Sequence, residues 1–245
     1  MLRAGRCFSP VPKLQNRVAV ITGGSRGIGL AIACALAGEG MRVVISGRHS
    51  RALEGARRQI PGALAVRADA TRPADVARLF RIVQRRFKRL DLLVNNAGVF
   101  TYKPFVKTRL REWRANLETN LTSIFLATQA ALPLLKRSRP ADVVNILSIA
   151  AVQAFPKCSA YTASKFGALG LTRVLGQELG SEGIRVTAIL AGPTDTRMIA
   201  EFDFPVRRER LLQPEDVAAA VVAALRAPPR ARVEEIILTP SSGRL

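Results

Sequence analysis

Histidine and cysteine are scarce in this sequence. A single histidine, His49, cannot build a multi-histidine metal site, and it follows Arg48 in a predicted loop, so we assign it no catalytic role. The cysteines, Cys7, Cys34 and Cys158, are far apart and form no Cys-x-x-Cys pair. This spacing argues against a disulfide framework and against structural zinc, and it is typical of a reducing compartment. We therefore predict no metal site.

Long apolar runs are also lacking, so the sequence predicts no membrane partner. A chain of 245 residues that is 48% hydrophobic can nevertheless bury the core of one large α/β domain. We predict a flexible N-terminal leader at 1–16, one domain over 17–245 and a cytoplasmic location. The leader carries basic residues and no acid, which leaves an organelle-targeting signal open.

Acidic residues are few: 18 stand against 38 lysines and arginines, and the net charge is +20. Such a balance raises the question of a nucleic acid, an acidic membrane surface or an acidic protein as partner. The densest basic cluster, at 78–89, alternates with apolar residues at helical spacing, which predicts the solvated face of an amphipathic helix. We predict no nucleic-acid partner. The alternative, a basic nucleic-acid binder, would show steeply salt-dependent affinity.

The first half of the chain has the pattern of a nucleotide site. Residues 17–22 form a short apolar run typical of a strand, followed by Gly-Gly-Ser-Arg-Gly-Ile-Gly at 23–29 and a predicted buried helix at 30–37. Glycines in such a turn permit tight backbone angles and the approach of a phosphate. The amino terminus of the helix offers unpaired N–H groups to an anion.

The ends of the next strands indicate which dinucleotide would bind. A strand at 42–46 leads to Gly47 and Arg48, with no acidic residue there to hold a ribose 2′-hydroxyl. Arg48 and Arg26 are suited to a 2′-phosphate instead, so NADP(H) is favoured over NAD(H). A third strand, at 63–67, precedes Asp69, whose carboxylate is a candidate acceptor for the adenine amino group.

A fourth strand, at 90–94, runs into Asn95, Asn96, Ala97 and Gly98, residues that suit a turn beside a cofactor. Strands alternate with helices of matching length along the chain. We therefore predict a single-domain, Rossmann-like α/β fold, with a doubly wound parallel sheet and helices on both faces.

The second half carries candidate acid–base groups. Tyr161 and Lys165 are four residues apart, so on a helix they share one face. A phenol has a reference pKa of about 10, and a nearby ammonium favours the phenolate and brings that pKa towards neutrality. Ser148 can add a hydroxyl to the same volume if the residues between it and Tyr161 fold back.

Together these motifs resemble the short-chain dehydrogenase/reductase family over residues 17 to about 240. The resemblance implies that Tyr161 exchanges a proton with a carbonyl or alcohol substrate and that Ser148 hydrogen-bonds the reacting oxygen. It implies that Lys165 lowers the pKa of the tyrosine and holds the nicotinamide ribose, and that Asn120 holds a water in a proton relay. The cofactor-binding positions it implies are Gly23, Ser25, Arg26, Gly27, Ile28, Gly29, Arg48, Asp69, Asn95, Ala97, Gly98, Tyr161, Lys165, Gly192, Thr194 and Thr196.

The loop after a strand at 183–190 departs from the family in one residue. Ala191 stands where the family usually has proline, while Gly192 keeps the glycine that lets backbone approach the nicotinamide. A substrate lid is predicted at about 197–212, which mixes apolar residues with arginines. With the apolar loop after Ser148, it predicts a pocket for a lipophilic or acyl carbonyl compound with a basic rim.

Two further alternative functions stay open from sequence. The chain resembles 3-oxoacyl-acyl-carrier-protein reductases, for which its basic charge and Arg139 would suit an acidic carrier protein, whereas Glu182 and the C-terminal sequence do not fit. A non-catalytic dinucleotide sensor or scaffold is the second, although such proteins usually lose the Tyr, Lys or Ser kept here.

A homodimer or homotetramer is expected, with its contact surface on the helices around 113–132 and 161–179.

Overall fold

The computed structural model of the chain describes residues 12–202 and 207–242. Its seven strands form one sheet in the order β3-β2-β1-β4-β5-β6-β7, and each neighbouring pair is parallel. The strands are β1 (Val18–Thr22), β2 (Arg42–Gly47), β3 (Leu64–Arg67), β4 (Leu92–Asn95), β5 (Ala141–Ser148), β6 (Ile184–Ala191) and β7 (Glu235–Leu238).

Helices connect the strands and cover both faces of the sheet. They are α1 (Gly27–Gly38), α2 (Ser50–Gln59), α3 (Pro73–Phe87), α4 (Leu110–Leu117), α5 (Ser123–Leu135), α6 (Ser159–Gly180) and α7 (Pro214–Leu225). The predicted doubly wound fold is confirmed.

Of the three hydrophobic clusters, the two largest lie on opposite faces of the sheet. Successive side chains of a strand point to opposite faces, so Ile21 of β1 packs with α1, α2 and α7, whereas its neighbour Val20 packs with α3, α5 and α6. The central strands β1 and β4 are buried on both faces, which explains their near-continuous apolar sequences. In α3 the apolar side chains are buried and the arginines exposed, as expected for an amphipathic helix.

The packed domain begins before residue 17, the predicted start. Leu14 is buried in the core on the α1 side, and the backbone N–H of Asn16 donates to Gly40 O at 2.9 Å. An apolar side chain next to the end of α1 therefore fastens the last residues of the predicted leader. The remainder of that leader, residues 1–11, lies outside the described residues.

An ion cluster joins the amino ends of four strands. The Asp142 carboxylate accepts from Arg17 at 2.6 Å and from Arg185 at 2.7 Å, and these three side chains are almost entirely buried. Asp91, just before β4, accepts from the backbone N–H of Val18 at 2.8 Å and from Arg89 at 2.5 Å. These interactions hold β1, β4, β5 and β6 together at the edge opposite the candidate site described below.

Between α4 and α5 the helix widens into a single π turn, Glu118–Thr122. Such turns interrupt the regular hydrogen-bond ladder and often occur at functional sites. Within 12–202 and 207–242, no helix has the length and apolar character that crossing a membrane requires.

Candidate active site

The predicted site residues meet at the carboxyl edge of the sheet. Because all seven strands are parallel, the loops that follow them emerge at one edge. The chain runs outward from β1 to β3 on one side and from β4 to β7 on the other, so the crevice between β1 and β4 is the position where such sheets bind dinucleotides.

The glycine turn after β1 forms a close-fitting cradle. Gly23 and Gly27 have φ of +66° and +51°, a backbone region that favours glycine. A Cβ on Gly29 would lie 2.4 Å from Asn96 Nδ2 and 2.5 Å from Gly23 O. No side-chain hydrogen bond caps the start of α1 at Arg26. The turn therefore fits a pyrophosphate, which would meet the free N–H groups of the helix.

Two residues that sequence reasoning left out of the site hold this turn. Thr22 Oγ1 accepts from the backbone N–H groups of Asn96, at 3.0 Å, and Ala97, at 3.2 Å. The Asn96 amide donates to Thr22 O at 3.0 Å and to Gly23 O at 3.1 Å. The sequence did offer a signal for these two residues. A hydroxyl stands directly before the glycines, and two adjacent asparagines follow the predicted fourth strand.

Asn95, a predicted cofactor residue, has its side chain inside the protein. Its amide donates to Asn145 Oδ1 at 2.8 Å and to Thr128 Oγ1 at 3.2 Å, and Asn145 in turn donates to Thr172 at 2.8 Å. This buried polar network joins β4 and β5 to α5 and α6. A dinucleotide would consequently meet the backbone of Asn95 rather than its amide.

Three arginines lie at the carboxyl ends of β1, β2 and β3. Arg26 and Arg48 are both exposed, and their role towards a 2′-phosphate stays a prediction. The third, Arg67 at the end of β3, was missed by sequence reasoning, and its Nε donates to Arg48 O at 3.3 Å. Its position could be found only from the pairing of β2 with β3, which sets Arg67 opposite Gly47.

Near these arginines, two further predicted positions are held in place. Ser25 lies against the end of β2, since a Cβ on Gly47 would stand 3.5 Å from its Oγ. Asp69 Oδ1 accepts from the N–H and the hydroxyl of Thr71, at 3.0 and 2.8 Å. Its role towards adenine stays a prediction.

Ser148, Tyr161 and Lys165 come together beside the crevice. Ser148 ends β5, and the other two lie one turn apart on α6. The Ser148 side chain hydrogen-bonds the Tyr161 phenol. The Lys165 ammonium nitrogen is 5.6 Å from the centre of the tyrosine ring and donates to Ile146 O at 3.1 Å. The three groups can therefore act on one small molecule.

Burial controls the proton affinities of this group. Desolvation raises the pKa of the Tyr161 phenol to about 12, against the lowering effect of its Ser148 hydrogen bond. Desolvation also lowers the pKa of Lys165 to about 8. Burial of the phenol therefore acts against the lowering of its pKa that is expected from the lysine. That lowering stays a prediction.

Cys158 lies in the same part of the protein and is a packing residue. It is buried at the start of α6, and desolvation raises the pKa of its thiol to about 11. A thiol that stays protonated is a poor nucleophile.

Asn120 lies in the π turn and joins two neighbouring segments. Its side chain accepts from Val99 N at 2.8 Å and donates to Val99 O at 3.0 Å and to Ser164 Oγ at 2.9 Å. The loop after β4 is thereby fixed to α6, one residue from Lys165. Gly98 allows this approach, since a Cβ there would be 3.3 Å from Asn120 Oδ1. Whether Asn120 also holds a relay water stays a prediction.

The loop after β6 closes the crevice from the other side. Thr196 lies against the glycine turn, because a Cβ on Gly27 would be 3.3 Å from its methyl group. Thr194 is buried and its hydroxyl donates to Gly192 O at 3.0 Å. A Cβ on Gly192 itself would meet Leu238 O at 3.1 Å, so this glycine accommodates β7. Its expected approach to a nicotinamide stays a prediction.

The predicted lid contains two short 3-10 turns, Arg197–Glu201 and Arg208–Arg210. Arg208 of its basic rim pairs with Asp195 at 3.2 Å. Residues 203–206 of the lid lie outside the described residues. Across the described parts of the chain, no group of three or more His, Cys, Asp or Glu residues is arranged to hold a metal ion.

Comparison with known proteins agrees with this geometry. Residues 17–204 match the family model described as short chain dehydrogenase. An uncharacterized oxidoreductase of Staphylococcus saprophyticus is 34% identical over 233 residues, which cover 93% of this chain and 99% of the relative. A 3-oxoacyl-[acyl-carrier-protein] reductase of Synechocystis is 34% identical over 218 residues, which cover 85% of this chain and 88% of the relative.

Solved structures show the same fold. An alcohol dehydrogenase from the archaeon Thermococcus sibiricus, complexed with 5-hydroxy-NADP, superposes with a TM-score of 0.87 at 28% identity, covering 94% of this chain and 99% of that one. A metagenomic short-chain oxidoreductase in complex with NADP gives a TM-score of 0.82 at 29% identity, with the same coverage of 94% and 99%.

Proposed function

The chain belongs to the short-chain dehydrogenase/reductase family of oxidoreductases, and we propose that it transfers hydride between NADP(H) and a carbonyl compound or the corresponding secondary alcohol. One observation carries this proposal. Ser148, Tyr161 and Lys165 converge beside a glycine turn whose shape fits a pyrophosphate. A dinucleotide-binding scaffold without chemistry would not need this group.

The residues of the chain supply position and a proton. The glycine turn and the start of α1 would hold the phosphates, and Lys165 would hold the ribose hydroxyls. The bound dinucleotide would supply the hydride for reduction and accept it in oxidation. In reduction, Tyr161 donates its phenolic proton to the carbonyl oxygen and Ser148 hydrogen-bonds the same oxygen. In oxidation, the phenolate takes the proton from the alcohol.

Replacement of single side-chain oxygens tests this assignment. Tyr161→Phe should abolish turnover of a ketone panel with NADPH, while NADPH binding and thermal stability stay close to wild type. Ser148→Ala should lower kcat by about 10²- to 10³-fold, because an oxygen-binding group is lost. Ser181→Ala, at the exposed end of α6, is the matched control and should leave kcat unchanged. Undiminished turnover in Tyr161→Phe would refute the proposal.

The preference for NADP(H) over NAD(H) rests on the exposed guanidiniums of Arg26 and Arg48 and on the lack of an acid at 46–48. A hydrogen bond to a charged group is worth about 1.5–3 kcal/mol. Arg48→Gln should therefore weaken NADPH binding about 10- to 100-fold and leave the Kd of NADH nearly constant. Arg51→Gln, an exposed change in α2, is the control. Equal losses for both dinucleotides would contradict the assignment.

A 3-oxoacyl-acyl-carrier-protein reductase is the second candidate. The Synechocystis relative and the charge of +20, which suits an acidic carrier, favour it. Against it, Glu182 forms an ion pair with Lys136 at 2.6 Å, in a region where a carrier-binding site would need free positive charge. A comparison of KM for acetoacetyl-carrier protein with KM for the acetoacetyl thioester of a small thiol distinguishes the two candidate functions. If the protein is a 3-oxoacyl-acyl-carrier-protein reductase, the carrier should lower KM, and this effect should weaken as salt is added. If it is a general carbonyl reductase, the carrier should not lower KM.

A homodimer is part of the proposal. Three large apolar side chains are exposed on the predicted surface, Phe125, Phe166 and Val174, with exposures of 46–51%, and Leu110, just before that surface in the chain, is 60% exposed. A second copy of this chain would cover them, and an apolar patch of this kind commonly marks an interface. Val174→Glu should shift the mass measured by light scattering to that of a monomer. If the protein is a tetramer with a second interface at the exposed edge strand β7, Ile237→Glu should lower the mass to that of a dimer. In a dimer this change should leave the mass unchanged.

A further inference from the structure

Three aromatic rings form a continuous wall above the catalytic phenol. The ring of Phe100 lies edge-to-face on Tyr161, with centres 4.8 Å apart and planes at 87°. Phe202 lies 5.3 Å from Phe100 and 5.0 Å from Tyr102. Phe100 and Tyr102 are stacked at 6.1 Å. We call Phe100, Tyr102 and Phe202 the aromatic wall.

The wall is built from two segments on either side of the cleft. Phe100 and Tyr102 belong to the loop after β4, and Phe202 directly follows the 3-10 turn Arg197–Glu201 of the predicted lid. Rings from separate parts of the chain therefore meet beside the reacting position.

The loop that carries two of the rings is firmly held. Asn116 Nδ2 donates to Thr101 Oγ1 at 2.8 Å, and the N–H of Lys103 donates to Lys157 O at 2.7 Å. The ammonium of Lys157 lies 5.2 Å from the centre of the Tyr102 ring, a cation–π distance. Phe100 and Tyr102 are thus fixed before any ligand arrives, which lowers the entropic cost of binding one.

The wall is not part of the hydrophobic cores. All three of its rings are partly exposed, and none belongs to the three core clusters. Partly exposed rings that are held in place beside a catalytic group offer a ready contact surface. Aromatic rings prefer edge-to-face or offset partners, beyond what buried area alone gives.

We propose, resting on the function proposed above, that the aromatic wall selects carbonyl substrates bearing an aromatic ring a few bonds from the reacting carbon. The carbonyl oxygen must lie within hydrogen-bond reach of the Tyr161 phenol. The wall begins at that phenol, so a substituent on the carbonyl carbon contacts the rings of Phe100 and Phe202. A linear acyl chain can touch these rings, but it offers no ring edge or face to them.

Three methyl ketones of equal carbon number test this selection: 4-phenyl-2-butanone, 4-cyclohexyl-2-butanone and 2-decanone. None has a conjugated carbonyl, so their intrinsic reactivities are similar. With NADPH, wild-type kcat/KM should be about fivefold or more higher for the phenyl ketone than for either of the others, the size of one aromatic pair. Equal values for the phenyl and cyclohexyl ketones, or for the phenyl ketone and 2-decanone, would overturn the inference.

Variants then assign the preference to the wall. Tyr102→Leu and Phe202→Leu should each bring the phenyl-to-decanone ratio of kcat/KM towards one. Phe105→Leu changes a 77%-exposed ring of the same loop outside the wall and should keep the wild-type ratio. A ratio unchanged in both wall variants would contradict the inference. Failure of wild type to reduce any ketone would instead refute the proposed function, so the two failures are distinguishable.

Discussion

Gly29→Ala is the sharpest test of how the glycine turn is built. The added Cβ would stand 2.4 Å from Asn96 Nδ2 and 2.5 Å from Gly23 O, far inside van der Waals contact. The Asn96 side chain can rotate away, but Gly23 O is backbone and can move only if the turn moves. The substitution therefore strains the turn and releases the asparagine.

The size of the effect follows from two broken hydrogen bonds and from steric strain. Asn96 gives up its bonds to Thr22 O and Gly23 O, at 3.0 and 3.1 Å, worth about 1 kcal/mol each. Overpacking against the backbone costs about 1–3 kcal/mol more. Alanine returns about 1 kcal/mol through its better helix propensity. The free energy of unfolding should fall by about 2–4 kcal/mol, which in a domain of this size lowers Tm by about 5–15 °C.

Thermal unfolding followed by circular dichroism measures the loss of stability, and NADPH fluorescence titration measures the damage to the cradle. Gly38→Ala, at the other end of the same helix, is the matched control. Among the described residues no heavy atom stands within 4 Å of its added Cβ, so its Tm should stay level or rise. If Gly29→Ala unfolded at the wild-type temperature and bound NADPH with the wild-type Kd, the steric account would be wrong.

Two further predictions concern buried charge. Burial lowers the pKa of Lys165 to about 8, so its positive charge is present below that pH and lost above it. The value of kcat/KM for ketone reduction should therefore fall above about pH 8. A pH profile that stays flat to pH 10 would contradict this prediction. Asp142→Asn leaves Arg17 and Arg185 without their buried carboxylate and should cost about 3–5 kcal/mol in urea unfolding. The exposed change Glu54→Gln should cost far less, because surface ion pairs contribute little to stability. Similar losses in the two variants would refute the role of the cluster.

The fold was predictable because parallel strands that are buried on both faces have apolar sequences of strand length, several of which are followed by glycine. Boundaries were less predictable where apolar or polar residues are buried outside regular structure. Leu90 and Asp91 are buried, but they precede β4, and the Asp91 side chain belongs to the ion cluster. Leu14 is an isolated apolar residue in a polar segment, and only the position of α1 explains its burial.

The candidate site was predictable where spacing along one element determines geometry, as with Tyr161 and Lys165 on α6. It was not predictable where side-chain direction depends on a partner distant in sequence. Asn95 and Asn96 are adjacent and chemically identical, and successive side chains leave a strand on opposite sides. Asn95 donates to Asn145, fifty positions away, and so belongs to the buried network, whereas Asn96 donates to the glycine turn.

Whether burial or the ammonium governs the phenol can be measured directly. The chain has two tyrosines, so Tyr102→Phe leaves Tyr161 as the single phenol whose ionisation changes the near-ultraviolet absorbance. If desolvation dominates, as the raised pKa of about 12 implies, little tyrosinate should form at pH 10, where a free phenol is about half ionised. A midpoint below 10 in the folded protein would show that the Lys165 ammonium outweighs burial. The direction expected from the sequence would then be correct, and the neutral phenol would not be the resting acid.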